Sequence, residues 1–410
     1  MTSSLFANVE LAPRDPILGL NESFANDSRA TKVNLGVGVY FNDEGRIPVL
    51  RAVASAERAL VERAAPRGYL PMEGIAAYDK AVQQYLLGAN SKALAEGRVV
   101  TAQALGGTGA LKLGADFLRR LAPDAKVAIS DPSWENHRAL FEFAGFEVVQ
   151  YAYYDAKTGG LSLDAMLASL RTLDRGTIVV LHACCHNPTG VDLSMAQWQQ
   201  VLDIVVERGL IPFLDIAYQG FGDSIDSDAA PVRLFVDSGI ACFISSSFSK
   251  SFSFYGERVG ALTIVDHSKD ESARVLSQLK RVIRTNYSNP PTHGGSVVAA
   301  VLNDAALRAQ WEEELAEMRV RIKQMRAALT KYLRAAGVTG DVSYIEKQRG
   351  MFSYTGLTAA QVARLASEFG IYAVSSGRIC VAALNTRNVE YVANAMATVL
   401  SGEPVAAKAA

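Results

Sequence analysis

Lys250 sits among hydroxyls and aromatic rings in SSSFSKSFSFYGERVG (245–260), directly after the apolar run ACFISSS and ahead of Arg258. A lysine in that place either ends a strand and snorkels to water or presents its amine for chemistry. Asp215 lies inside another apolar run, IPFLDIAYQG. A buried carboxylate is costly unless paired with a cation or several donors, so Asp215 is either a strand-end cap or an anion facing a cationic ligand atom. GGTGA (106–110) opens a helical stretch. Its backbone N–H groups could cradle a phosphate, or it is an ordinary glycine-rich turn. It lacks the Gly-Lys-Ser/Thr of a P-loop and the third glycine of the dinucleotide fingerprint. Arg258 with Ser247 and Ser249 would complete a phosphate site, since a guanidinium pairs bidentately with phosphate; the alternative is an ion pair with the adjacent Glu257. HACCH (182–186) carries metal-type side chains. Successive residues of a strand face opposite sides, and no second ligand pair follows at finger-like spacing, so no metal is expected.

The elements that would position these groups alternate. The apolar runs VVTAQAL (99–105), KVAIS (126–130), TIVVLHACC (177–185), IPFLDIA (211–217), ACFISSS (241–247) and GALTIV (260–265) have little polar alternation, as in strands buried on both faces. Helical patterns such as 194–209 separate them. Repeated strand–helix units predict an α/β architecture with a mainly parallel sheet flanked by helices. Ligands bind such sheets beyond the carboxyl ends of the strands. There the sequence places GGTGA, DPSWENH, HNPTG, Asp215 with Tyr218, and Lys250. Residues 304–336 contain neither Gly nor Pro and predict one long helix. Beyond it, YAVSS and ICVAAL read as strands and TAAQVARLASEFG and NVEYVANAMATVL as helices of a smaller α+β domain. The expected division is a large domain over 45–310 and a small one from 1–44 and 311–410, joined by the long helix. The Ala-rich tail after 402 is expected to be disordered.

The chain has 410 residues, 49% hydrophobic and 20% charged. Single cores stop growing at about 250–300 residues, so two domains are expected. Lys and Arg number 41 against 42 acidic residues, and the formal net charge is -1. No Lys/Arg run exceeds two, so no nucleic-acid footprint is read. Cys184, Cys185, Cys242 and Cys380 form no disulfide framework, which points to a reduced, cytoplasmic setting. No secretory signal and no spanning apolar stretch is read, so no membrane partner is expected.

Six motifs together resemble the fold-type I, class I aminotransferases: HNPTG (186–190), DIAYQGF (215–221), SFSKSFSFYGERVG (247–260), RTNYSNPP (284–291), RGMF (349–352) and SGR (376–378). The likeness runs in order from APRDPILGL (12–20) to about residue 400 and is nearest the aspartate and aromatic amino-acid subgroup, the aromatic (tyrosine) members above all. It implies a seven-stranded, mainly parallel sheet and pyridoxal 5′-phosphate bound to Lys250 as a Schiff base. Asp215 would pair with the ring nitrogen, oriented by His137 with His182 beside it. Asn187 and Tyr218 would bond the ring's phenolic oxygen, and Trp134 would stack on the ring. Gly107, Thr108, Ser247, Ser249 and Arg258 would hold the phosphate, joined by Tyr69 across a dimer interface. Gly36, Trp134, Asn187, Phe352 and Arg378 would meet the substrate, Arg378 at its α-carboxylate. Arg284, donated by a second subunit, would meet a distal carboxylate. The resemblance therefore implies a homodimer with shared sites, and cis peptide bonds before Pro132 and Pro188. Lys250, Asp215 and Tyr218 would be the catalytic residues, Lys250 moving the proton from the substrate's Cα in ping-pong turnover.

Arg284 and Arg378 imply dicarboxylic substrates. Phe41, Ile47 and Leu70 resemble the apolar rim of the aromatic enzymes, whereas Thr108 and Asn289 resemble the aspartate type. The expected activity is transamination of tyrosine and phenylalanine and of aspartate and glutamate with 2-oxoglutarate. The alternatives are a dedicated aspartate enzyme, a lyase or decarboxylase on the same fold, and a non-catalytic protein that kept the fold.

Overall fold

The computed structural model describes residues 4–12 and 18–402. Most of APRDPILGL and the Ala-rich tail after residue 402 lie outside the described residues. A seven-stranded sheet forms the centre. Its strands in chain order are β1 (Val99–Leu105), β2 (Lys126–Asp131), β3 (Glu147–Ala152), β4 (Ile178–His182), β5 (Ile211–Ile216), β6 (Cys242–Ser247) and β7 (Val259–Val265). Their order across the sheet is β1-β7-β6-β5-β4-β2-β3. Every neighbouring pair is parallel except the two made by β7, which runs antiparallel to both β1 and β6.

Burial on both faces explains the apolar runs. Along β4, Val179 and Leu181 enter one core while Ile178 and Val180 enter the other, the two-residue period of a strand. Helix Gly106–Leu121 lies so close to the sheet that a Cβ on Gly114 would come within 2.5 Å of the Phe213 ring. Helix Met195–Arg208 starts with a capping box between Ser194 and Gln197 and ends at Gly209 in the left-handed conformation, both ordinary boundary signals.

The predicted long helix is Ala305–Ala335, begun by Asp304, whose carboxylate accepts from the N–H groups of Ala306 and Leu307. It carries Glu314, which accepts from the backbone of Arg51 and Ala52 and so caps helix Arg51–Arg63, whose own N-cap Leu50 offers no side-chain bond. It also carries Arg326, fully buried, which donates to the carbonyls of Ile345, Gly350 and Phe352. Two short pairings complete the C-terminal region. Val33–Asn34 runs parallel to Ile371–Tyr372, and Phe352–Tyr354 antiparallel to Arg378–Cys380.

Four expectations change. YAVSS is strand only at Tyr372 and turns at Ser375 and Ser376. The TIVVLHACC strand stops at His182, and Cys185 turns out of it with φ +52°. ICVAAL is a strand only to Cys380 and then a 3₁₀ turn, Val381–Ala383. The seventh strand, β3, was not among the apolar runs. It lies at the sheet edge and half of it meets solvent, so its sequence, EVVQYA, mixes polar with apolar residues.

Phe213 is fully buried, its ring centre 5.9 Å from that of Phe141 and 5.6 Å from that of Phe243, in the same core cluster as Phe117. Replacing it by Ala should cost about 3–5 kcal/mol, read as a lowered melting temperature of the purified protein.

Candidate active site

Parallel strands end on one edge, and β7, being antiparallel, begins there. The register sets His182 beside Asp215 and Asp215 beside Ser245, while Gly260 stands opposite Ser247. Lys250 follows β6, and Arg258 immediately precedes β7. The sheet thus delivers both cations to the edge where Asp215 lies.

These groups line one cavity of about 240 Å³, which also takes in Gly107, Thr108, Trp134, His182, Asn187, Tyr218, Ser247, Ser249, Phe352 and Arg378. Asp215 is buried, and its Oδ2 lies 3.1 Å from His137 Nε2. A carboxylate only accepts, so the imidazole donates there; its Nδ1 is 3.0 Å from the Ser133 hydroxyl. Burial pushes the Asp215 carboxyl up, but the His137 bond and nearby positive charge outweigh this and hold it below the usual carboxylate value. Its second oxygen, Oδ1, is buried and has no hydrogen-bond partner among the described residues.

Lys250 Nζ lies 4.8 Å from the centre of the Tyr218 ring. Burial lowers its pKa to about 8, against an upward pull from Asp215 and with a further lowering by Arg258. Burial holds the Tyr218 phenol well above its usual value. The rings of Trp134 and His137 meet edge to face at 5.3 Å. His182, 4.9 Å from the His137 ring, is buried, and neither of its nitrogens has a hydrogen-bond partner among the described residues; burial lowers its pKa to about 3.

Arg258 is exposed at the cavity mouth and donates to Ser249 Oγ at 3.3 Å and to the Tyr255 carbonyl at 3.0 Å. Gly106 has φ +70°, and a Cβ there would sit 2.5 Å from the Arg258 guanidinium. Only glycine admits both the backbone conformation and that approach. Arg378 is buried. It donates to Asn187 Oδ1 at 3.1 Å and to the Gly36 carbonyl at 2.7 Å, and its guanidinium lies 4.4 Å from the Phe352 ring centre. Its Nε has no partner among the described residues.

Of the sequence-derived residues, His137 and Gly36 stand behind the cavity, touching it through Asp215 and Arg378. Tyr69 and Arg284 are not in it. Tyr69 is 96% exposed, and Arg284 is exposed and bonded to Ser288. Phe41, Ile47, Leu70 and Asn289 are likewise absent from the lining. Gly38, Leu111, Ala217 and Tyr255 line the cavity without having been singled out. Tyr255 was visible as an aromatic residue within the lysine motif; it accepts from the backbone of Tyr40 at 2.8 Å. Gly38 gave no signal beyond its glycine; a Cβ there would lie 2.7 Å from the Phe352 ring. Both X-Pro bonds, before Pro132 and Pro188, are cis. In HACCH the His186 ring is held by Ser130 and Thr189. The thiols of Cys184 and Cys185 lie near Asp228, whose carboxylate already accepts from Gly220, Gly222 and Asp223.

The family model for class I and II aminotransferases matches residues 30–396, and the chain belongs to that family. It is 67% identical to an aspartate aminotransferase of Pseudomonas aeruginosa over 97% of this chain and 100% of that protein. An aromatic-amino-acid aminotransferase structure from Burkholderia pseudomallei, covalently bound to pyridoxal phosphate, superposes with a TM-score of 0.95 at 71% identity, over 97% of this chain and 100% of that one. The aromatic amino acid aminotransferase of Psychrobacter sp. B6, cocrystallised with aspartic acid, gives a TM-score of 0.95 at 50% identity, over 97% and 100%.

The residues present fit that cofactor. The unfilled Asp215 Oδ1 suits a ring N–H, the 106–108 backbone with Ser247, Ser249 and Arg258 suits a phosphate, and Lys250 offers an amine of lowered basicity. In the cofactor-free protein, reductive alkylation of Lys250 should rise with pH about a midpoint near 8. Removing a cation in Arg258→Met should move that midpoint up, and removing an anion in Asp215→Asn should move it down, as read by peptide mass spectrometry across pH.

Proposed function

We propose that this chain is a pyridoxal 5′-phosphate-dependent aminotransferase acting on tyrosine and phenylalanine and on aspartate and glutamate, with 2-oxoglutarate as acceptor. The observation that carries the reading is a single cavity holding Lys250, a buried Asp215 with one oxygen unfilled, and a buried Arg378 with Nε unfilled. Bound there, the cofactor would supply an aldehyde carbon for amine exchange and a ring able to take up carbanion charge. Asp215, kept ionised by His137, would hold a proton on the ring nitrogen. Tyr218 and Asn187 would bond the phenolic oxygen, and Trp134 would cover the ring. Arg378 would fix the α-carboxylate bidentately. Lys250 Nζ, once free, would take the Cα proton, and an amine of pKa about 8 holds a usable neutral fraction near physiological pH.

Three further parts belong to the proposal. Residues 45–310 would form the cofactor-binding domain, and 1–44 with 311–410 the smaller one; the pairing of Val33–Asn34 with Ile371–Tyr372 supports grouping the two ends. Two copies would share their sites, with Tyr69 reaching the partner's phosphate and Arg284 its distal carboxylate. The exposure of both, and of Leu5, Phe6, Val9 and Leu11, supports this. A cytoplasmic location fits four buried cysteines that are all free. Among the described residues no helix is long and apolar enough to cross a membrane.

Dual specificity is supported by relatives of both names at high identity. The expected kcat/KM for tyrosine or phenylalanine lies within about tenfold of that for aspartate, a difference of about 1.4 kcal/mol. Initial rates with each amino acid against 2-oxoglutarate check this, and an aspartate preference above about a thousandfold would instead mean a dedicated aspartate enzyme. Lys250→Ala should abolish steady turnover and the borohydride-fixed label on the peptide 245–260.

A further inference from the structure

Tyr69 and Arg284 lie far apart in sequence, yet the structure ties the Tyr69 loop and the loop that follows the Arg284 helix to one residue. Gln103 is buried to 1% exposure on β1, which forms an edge of the sheet. All four of its polar groups are engaged. Its backbone N–H donates to the Glu73 carbonyl at 2.7 Å, and its Oε1 accepts from the Ile75 N–H at 3.4 Å. Its Nε2 donates to the Pro291 carbonyl at 2.9 Å, and its carbonyl accepts from the Tyr287 hydroxyl at 3.2 Å. The first two bonds reach the segment just after Tyr69. The other two reach the segment just after Arg284.

Glycines make this contact possible on both sides. Gly74 has φ +106°, and a Cβ there would fall 2.5 Å from Gln103 Cβ; a Cβ on Gly295 would fall 2.5 Å from Nε2. Outside the buried side chain, Lys280 and Glu73 form a second tie at 2.7 Å between the same two regions. A lone edge strand needs only a cover for its unpaired N–H and C=O groups. A glutamine there, with its amide split between two loops, goes beyond cover.

We propose that Gln103 is a positioning residue that locks the Tyr69 loop and the C-terminal end of helix Lys269–Asn286, which carries Arg284 in its last turn, into one rigid unit, so that phosphate grip and recognition of a distal carboxylate are set together. This rests on the reading above that both residues serve the pocket of a second copy. Loss of the side-chain amide would leave the Ile75 N–H and the Pro291 carbonyl unpaired and let the loops shift independently of the sheet. Every residue lining the cavity within one chain would keep its place, so recognition of an aromatic side chain would be spared.

The test uses Gln103→Met, which keeps the length of the side chain and removes both amide bonds. Two quantities are read: the dissociation constant for pyridoxal 5′-phosphate on the cofactor-free protein, and the apparent affinity for aspartate and for tyrosine in single half-reactions followed by the visible spectrum. The cofactor constant and the aspartate constant should both rise about tenfold, about 1.4 kcal/mol each, the tyrosine constant staying within about twofold. Tyr69→Phe should raise the cofactor constant alone, and Arg284→Leu the aspartate constant alone. If either leaves its quantity unchanged, the two-copy reading falls and takes the proposal with it. If both behave as expected but Gln103→Met moves neither constant, only one of them, or tyrosine as much as aspartate, Gln103 is not the common tie. Should Gln103→Met not fold, Tyr287→Phe, which removes one outer bond, should raise the aspartate constant about threefold with the cofactor constant unchanged; no change there also overturns the proposal.

Discussion

Asp215, a buried carboxylate at the cavity, holds one oxygen against His137 and leaves the other without a donor among the described residues. Isolated burial of that charge would cost several kcal/mol, and the carboxyl would respond by taking up a proton. It remains below the usual carboxylate value because the histidine bond and nearby positive charge outweigh burial. The molecule thus stores a fixed negative charge whose last acceptor position awaits an N–H. A neutral side chain there would let the protonated form of a ring nitrogen lapse. A solvated acid would waste the charge in high dielectric. The parallel sheet secures the arrangement, because β5 is flanked on both sides by strands whose ends carry the other groups and cannot slip by one residue without carrying every side chain, Asp215 included, to the opposite face of the sheet.

The opposite charge is handled by the same logic. Arg378 is buried without a carboxylate partner among the described residues. It spends donors on Asn187 and on the Gly36 carbonyl, lies over the Phe352 ring, and leaves Nε unfilled. Phe352 in turn is held by Arg326 of the long helix, a second buried cation satisfied by carbonyls alone. The helix Ala305–Ala335 therefore does more than connect. At Glu314 it caps a helix near the N-terminal side, and at Arg326 it fixes the strand that presents Phe352. The ring that lies over the Arg378 guanidinium is thus held from a rigid element, as a positioned site requires.

The strand runs and the long helix were legible because burial on both faces and an uninterrupted helical composition leave strong local signals; 304–336 became Ala305–Ala335. The edge strand β3 was not, because a strand half in solvent mixes polar with apolar residues. ICVAAL looked like a longer strand because an apolar run carries no mark of the 3₁₀ turn that ends it. The convergence of Asp215, Lys250 and Arg258 was legible from strand ends. That Arg258 arrives from an antiparallel strand was not. The partners of individual groups, such as Tyr255 with Tyr40 or Gly38 with Phe352, depend on segments hundreds of residues apart and leave no trace in local spacing.

The rim residues show where one chain ceases to determine its own chemistry. Phe41, Ile47 and Leu70 do not line the cavity, and Tyr69 and Arg284 are exposed outside its lining. On the proposed reading, what one chain encloses would be the part of the site that every substrate of a transaminase shares: an amine, a ring clamp, a phosphate cradle and an α-carboxylate grip. Groups that would separate an aromatic side chain from a second carboxylate would lie outside that enclosure, on the Tyr69 loop and in the last turn of helix Lys269–Asn286. Selectivity can then change by moving loops without disturbing the buried charges at Asp215 and Arg378, whose positions tolerate little error. Such a division lets one fold accept both planar apolar and anionic side chains, since the cost of rearranging an exposed arginine is small beside that of unpairing a buried one.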